Sequence, residues 1–195
     1  MHLFAAAVFF LIVTPGPGVL TLAGVGAAFG FRAGVSYLVG LFIGTNLVAL
    51  SVVTGLAAIM ISIPALRTIL FVASAAYLLY LAAKIAFSGA KVAFIEARTP
   101  PGIAGGVMLQ LINPKAYTVN TTMFMGFSFW PDNLGAELLA KFAIMNVIWI
   151  ALHLLWLWAG VALHQLDLAP AVQRRINMAM AGAMLLVVGI ATWAH

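Results

Sequence analysis

Helix-breaking and polar residues meet at two places inside long apolar runs, and these are where the sequence could do chemistry. One break lies in "TPGPG" and the other in "LQLINPKA". The residues concerned are Pro15, Gly16, Pro17, Asn113, Pro114 and Lys115. Proline removes a backbone donor and glycine weakens a helix, so each break exposes peptide groups that a polar ligand could satisfy. A half-helix N-terminus favours an anion and a C-terminus favours a cation. Two facing breaks could therefore bind the carboxylate and the ammonium group of an amino acid.

Lys115 and three further polar residues are candidates within apolar segments. Lys115 is a charge deep in such a segment, where a functional role is the default interpretation; it would sense a substrate carboxylate or clamp the carbonyls that the prolines free. Asn46 and Asn146 would bind substrate or form an interhelical hydrogen bond. His153 is a candidate proton carrier or a hydrogen-bonded structural residue. No catalytic triad, phosphate loop, carboxylate pair or metal-ligand pattern is present, so the sequence predicts no enzyme, no metal site and no cofactor.

Composition sets the class of protein in which these residues act. The chain of 195 residues is 65% hydrophobic and 7% charged, too few charges to cover a soluble domain of this size. A membrane-spanning helix needs about 20 apolar residues, and the turn residues divide the chain into six such segments. Their predicted bounds are 3–31, 35–61, 66–87, 102–130, 140–163 and 176–194. The sequence therefore predicts an all-α integral membrane protein with six transmembrane helices, the first and fourth broken at proline.

Spacing indicates an internal repeat. Pro15 and Pro114 are 99 residues apart, and Asn46 and Asn146, each in the following segment, are 100 apart. Each half thus reads as a broken helix, a helix with an asparagine and a shorter helix. Because three spans is an odd number, the halves must have opposite orientations, the arrangement of an inverted repeat with a midplane site. We expect a single membrane domain over 1–195, with repeats at about 1–98 and 99–195.

The basic residues predict the orientation. Alternate connections, the first, third and fifth, carry six of them: Arg32, Lys84, Lys91, Arg98, Arg174 and Arg175. The opposite side carries Arg67 and Lys141. The positive-inside rule makes the first group cytoplasmic, with both termini outside. The net charge of +5 then indicates loops near an anionic leaflet rather than nucleic acid.

Four stretches together resemble the LysE/RhtB family of amino acid exporters. They are "TPGPG", "GFRAGVSYLVGLFIGTNLVAL", "AAYLLYLAAKIAFSG" and "GIAGGVMLQLINPKA", in order between residue 14 and about 116. Residues 140–195 match only in hydropathy and length. The resemblance implies six spans, location in the bacterial inner membrane as a multi-pass protein, and efflux of amino acids or related metabolites driven by proton exchange.

The positions of the acidic residues indicate the charge of the substrate. Glu96, Asp132, Glu137 and Asp167 are all predicted in loops, so the spans offer no counter-charge for a cationic side chain. The prediction is export of small neutral amino acids or derivatives, with the lipid bilayer as the other partner and homo-oligomers compatible with the sequence. The alternatives are a metal-ion or other small-metabolite carrier and a non-transporting membrane partner protein. Thiol-based electron transfer is excluded because the chain has no cysteine.

Overall fold

The computed structural model describes residues 1–14, 16–87, 99–165 and 170–193, and within them all regular structure is helical. These residues form eight helices: α1 (His2–Val13), α2 (Pro17–Val53), α3 (Leu56–Ser62), α4 (Pro64–Ala86), α5 (Gly102–Ile112), α6 (Pro114–Met125), α7 (Leu134–Gln165) and α8 (Pro170–Trp193). Three of these are long and apolar enough to cross a membrane: Pro17–Val53, Pro64–Ala86 and the Leu134–Ala162 part of α7. Helices α1 and α5 are apolar but shorter.

Both predicted breaks are confirmed in the described residues. Between α1 and α2, Gly16 has extended backbone (φ −150°, ψ −179°), and between α5 and α6, Asn113 is extended (φ −79°, ψ 108°). Pro17 and Pro114 each begin the second half-helix, where a missing N–H costs nothing and the fixed φ is already helical. The breaks are therefore narrower than the sequence indicated. Pro15 lies outside the described residues.

Several predicted connections are wrong in position. "FRAG" (residues 31–34) is helical, and α2 instead changes direction at Gly30, whose φ of 78° and ψ of −174° are accessible almost only to glycine. A further break at Gly55 (φ 77°) went unpredicted. Helix α7 begins at Leu134 rather than 140, so Glu137 is helical and not in a loop. Arg174 and Arg175 likewise lie within α8.

Helix α2 lies at the centre of the fold because glycines let its neighbours approach its backbone. Gly106 of α5 lies against the carbonyl of Tyr37, and Gly160 of α7 lies against the carbonyl of Ala23. A side chain at either glycine would collide with that backbone, which is the usual role of small residues between membrane helices. The first half of α2 is thus held on α7 and the second half on α5. This brings the break at residues 14–16 next to the break at Asn113.

Candidate functional site

A cavity of about 60 Å³ lies where the two breaks meet α7. The breaks contribute Thr14, Gly16, Asn113 and Lys115 to its lining, and α7 contributes His153. A water molecule needs roughly 10–15 Å³ of such space, so the cavity can hold a few waters or one small polar group. The tertiary structure therefore brings the two predicted breaks to a single site.

Lys115 links the breaks directly. Its Nζ donates a hydrogen bond to the carbonyl oxygen of Thr14 (2.6 Å), 101 residues earlier in the chain. Its side chain lies over Gly16, where an added Cβ would be 2.7 Å from Cδ and 2.9 Å from Nζ. Lysine can rest here only because position 16 has no side chain. Lys115 is thus both a clamp across the first break and a positive charge on the cavity wall.

Asn113 orders the second break. Its Oδ1 accepts a hydrogen bond from the backbone N–H of Lys115 (3.1 Å), and its Nδ2 donates to Oε1 of Gln110 (3.2 Å). Asparagine is a favoured N-cap because its side chain satisfies a donor at the start of the helix. Sequence reasoning missed Gln110, which is buried and lines the cavity. The available signal was a glutamine three residues before Asn113 in an otherwise apolar helix.

The four half-helix ends at the breaks differ in how their backbone groups are satisfied. At the end of α1, Thr14 N–H and Oγ1–H both donate to Phe10 O, while Lys115 Nζ donates to Thr14 O. At the end of α5, the Tyr117 hydroxyl donates to Leu111 O (2.8 Å). Asn113 caps α6.

The start of α2 has no such cap. Gly16 offers no side chain to the first turn, and no side-chain capping bond is formed there. The first N–H groups of any helix have no partner within the helix. At α2 these include the N–H groups of Gly18 and Val19, both of which are buried and line the cavity. Of the two half-helix starts at the breaks, this one therefore keeps its first N–H groups without a side-chain cap, which favours an anion nearby.

Asn120 presents an acceptor at the same cavity. It is 2% exposed, and its Nδ2 donates to Ala116 O one turn earlier (2.8 Å). Its Oδ1 has no hydrogen-bond partner, the one buried side-chain nitrogen or oxygen of the described residues in that condition. A buried acceptor without a partner costs free energy and calls for an explanation.

His153 closes the cavity on the α7 side. Its ring stacks on Trp149 with centroids 3.5 Å apart, and its Nδ1 is 2.8 Å from Trp149 O. Because a carbonyl can only accept, Nδ1 carries the proton, and Nε2 of the neutral ring is an acceptor. Nε2 is directed toward Gly18, where an added Cβ would be 3.8 Å away.

Comparison with known proteins decides the family. Residues 9–193 match the model of the LysE type translocator family. The chain belongs to the LysE type translocator family. It is also similar to the leucine efflux protein of Enterobacter sp. (strain 638), with 28% identity over 135 residues, which are 64% of this chain and 61% of that protein. The chain thus spans less than two thirds of this curated relative. No solved structure matches it.

The family and the apolar helices support a multi-pass membrane protein. In the described part of the chain, no group of three or more His, Asp or Glu side chains is placed to hold a metal ion. The wall of the cavity nevertheless contains hydrogen-bond donors and acceptors in an apolar surrounding. That combination suits an organic solute with both types of group.

Asn46 and Asn146 are hydrogen-bonded to each other. Asn46 Nδ2 donates to Asn146 Oδ1 (3.1 Å), and Asn146 Nδ2 donates to Asn46 Oδ1 (3.0 Å). Asn46 Nδ2 also contacts Phe42 O (2.9 Å). Neither asparagine is among the described residues that line the cavity. Of the two interpretations of these residues, this geometry favours the interhelical hydrogen bond.

Sequence reasoning also missed a buried ion pair at the start of α7. Lys141 Nζ lies 2.8 Å from Oε1 of Glu137, and both side chains are almost fully buried. Lys141 also donates to the carbonyls of Phe124 and Phe127, and Oε2 of Glu137 accepts from the N–H of Trp130 (2.6 Å). The pair therefore fixes the end of α6 and the segment that follows it onto α7.

Proposed function

We propose that this translocator exports small neutral amino acids or their derivatives across the bacterial inner membrane as a secondary transporter. The observation that carries the proposal is the buried, uncapped N-terminus of α2 beside the Lys115 ammonium group at one small cavity. Backbone donors, the helix dipole and a cation together favour a carboxylate. Family membership and the leucine efflux relative support an amino acid as its bearer.

The proposed architecture is six spans in two inverted repeats of about 1–98 and 99–195. The first and fourth spans are pairs of half-helices: α1 with residues 17–29 of α2, and α5 with α6. Each pair holds at least 23 helical residues, about 35 Å at 1.5 Å per residue, which exceeds the roughly 30 Å hydrocarbon core. The second span is the rest of α2 with α3, and α4, α7 and α8 are the others. The mutual bond of Asn46 and Asn146, at matching positions of the halves, supports the repeat.

The rest of the cavity wall is apolar, which favours a neutral, aliphatic substrate side chain. The apolar residues of its wall are Leu11, Ile12, Pro17, Val19, Ala116, Val119, Met123, Met145 and Trp149. No Asp or Glu is among the described lining residues, and Lys115 would repel a second positive charge. A lysine or arginine side chain would therefore lose its hydration without finding a counter-charge.

Proton coupling is part of the proposal, and its carrier has three candidates. In the absence of a carboxylate on the described wall, the proton would travel on His153, on Lys115 or on the amine of the substrate itself. His153 directs its Nε2 toward Gly18 at the cavity, which supports it among these candidates.

Counterflow in liposomes tests the function. Liposomes that contain the purified protein are loaded with unlabelled amino acid, and uptake of labelled leucine, threonine and lysine is followed. We expect exchange of leucine or threonine and none of lysine. Robust lysine exchange without leucine or threonine exchange would contradict the neutral-substrate assignment. Exchange of no amino acid by folded protein would favour a carrier of other metabolites or a non-transporting partner.

A further inference from the structure

We infer that Asn120 receives the α-ammonium group of the substrate, so that the cavity accepts free amino acids and rejects analogues that lack a cationic amine. This inference rests on the proposed function and adds to it the orientation of the substrate. The carboxylate lies at the start of α2 beside Lys115, and the ammonium group lies farther along α6 at Asn120.

The direction of the Asn120 amide is set by its own helix. Ala116 O can only accept a hydrogen bond, so the amide nitrogen of Asn120 must face it, at 2.8 Å. The amide oxygen is then forced to the other side, where it has no partner although the residue is 98% buried and borders the cavity. An oxygen in this position can be satisfied only by a donor. A carboxylate or a carbonyl placed there would bring two acceptors together, whereas an ammonium group offers three N–H donors.

The other end of the cavity is unsuitable for an ammonium group. A cation is ordinarily favoured by the C-terminal carbonyls of a half-helix. At the first break that position is taken by Lys115, which occupies Thr14 O. At the second break the Tyr117 hydroxyl occupies Leu111 O. Positive charge from Lys115 and open N–H groups at α2 remain at this end, and both repel a cation.

The two ends border one small cavity, which suits an α-amino acid. Val19 at the start of α2, Lys115 and Asn120 all line it. An α-amino acid carries both charged groups on one carbon, and a hydrogen bond of about 3 Å at each end extends its reach. One molecule can therefore contact both ends with its aliphatic side chain against the apolar wall.

The test compares two ligands that differ only in the amine. Binding of leucine and of 4-methylpentanoate, which is leucine without its amino group, is measured on the purified full chain in detergent. The variant Asn120→Leu replaces the amide with an apolar group of similar size. The control is Thr118→Val on the same helix, because the Thr118 hydroxyl donates to Pro114 O of its own helix and the residue is exposed.

We expect wild-type protein to bind leucine at least tenfold more tightly than 4-methylpentanoate, as a charge-assisted hydrogen bond would give. Asn120→Leu should raise the Kd for leucine roughly tenfold and leave the Kd for 4-methylpentanoate unchanged, while Thr118→Val changes neither. Asn120→Asp loses the bond to Ala116 O but keeps an acceptor on the cavity side and adds a negative charge, so it should widen the discrimination. This second variant keeps the test valid if Asn120→Leu fails to fold.

Two results would overturn the inference. Binding of leucine and of 4-methylpentanoate could weaken equally in Asn120→Leu, or the ratio of the two Kd values could stay at the wild-type value in both Asn120→Leu and Asn120→Asp. Either result would show that Asn120 has a structural role or holds a water. In that case wild-type protein still binds leucine and the proposed function stands. If wild-type protein binds no amino acid, both the proposed function and this inference fail.

Discussion

Lys115 combines two roles at the residue scale, since one ammonium group both bonds Thr14 O and faces the cavity. Replacing it with methionine keeps much of the side-chain volume and removes the charge and the donors. We expect Lys115→Met to lower amino acid exchange at least tenfold because a charge-assisted interaction with the carboxylate is lost. Lys115→Arg should restore exchange only in part, since a planar guanidinium replaces a compact ammonium.

The measurement for Lys115 is counterflow in liposomes at equal amounts of folded protein, with the melting temperature recorded for each variant. Exchange at the wild-type rate in Lys115→Met would remove Lys115 from the substrate site. Loss of folded protein together with loss of exchange would assign it to the clamp alone.

Gly16 provides a separate test of where Lys115 must lie. Alanine can adopt the extended backbone of position 16, but its Cβ would be 2.7 Å from Lys115 Cδ. The flexible lysine side chain would move aside at little cost in stability. We therefore expect Gly16→Ala to reduce exchange severalfold while the melting temperature stays near the wild-type value. The control is Gly182→Ala in α8, where no heavy atom lies within 4 Å of an added Cβ. Unchanged exchange in Gly16→Ala would show that the lysine position is not critical.

At the scale of the helices, the Glu137–Lys141 pair holds the end of α6 to α7. Removing one partner of a buried pair leaves the other charge without compensation, which destabilises more than the pair itself contributes. We expect Glu137→Gln to lower the melting temperature in detergent by roughly 5 °C or more. The double variant Glu137→Gln with Lys141→Met should recover part of this loss.

The control for the ion pair is Asp132→Asn, which removes an exposed acid from the segment that connects α6 and α7. Its melting temperature should stay within about 1 °C of the wild-type value. Equal effects of Glu137→Gln and Asp132→Asn would show that the buried pair does not stabilise the junction of α6 and α7.

At the scale of the whole molecule, the inverted arrangement predicts on which side of the membrane each connection lies. The chain has no cysteine, so single cysteines report their own position. We expect Thr99→Cys to react with a membrane-impermeant maleimide only after cells are opened, because six basic residues mark that side as cytoplasmic. Asp132→Cys should react in intact cells. Labelling of Thr99→Cys from outside would reverse the orientation, and labelling of both from one side would contradict the three-span repeat.

Much of the backbone follows from the sequence because its determinants are local. Proline favours the first position of a helix, and the residue before a proline favours extended backbone. These local preferences suffice to predict the breaks at residues 14–16 and at Asn113. High hydropathy suffices to predict apolar helices. The errors also have local causes: Gly30 rather than "FRAG" turns α2 because only glycine tolerates its backbone conformation. Hydropathy alone places Glu137 in a loop, because it does not take into account the ion pair with Lys141 one helical turn later.

What the sequence by itself determined is the class of the protein, its family resemblance and the positions of the two breaks. Only the tertiary structure decided how the polar residues are used, because their partners lie about 100 residues away or on another helix. Lys115 bonds Thr14, and Asn46 pairs with Asn146, across such separations. Asn120 is left with a free acceptor because the only donor that could reach its oxygen would come from outside the helix. Hydropathy and spacing carry no information on these choices, since each depends on which helix faces which.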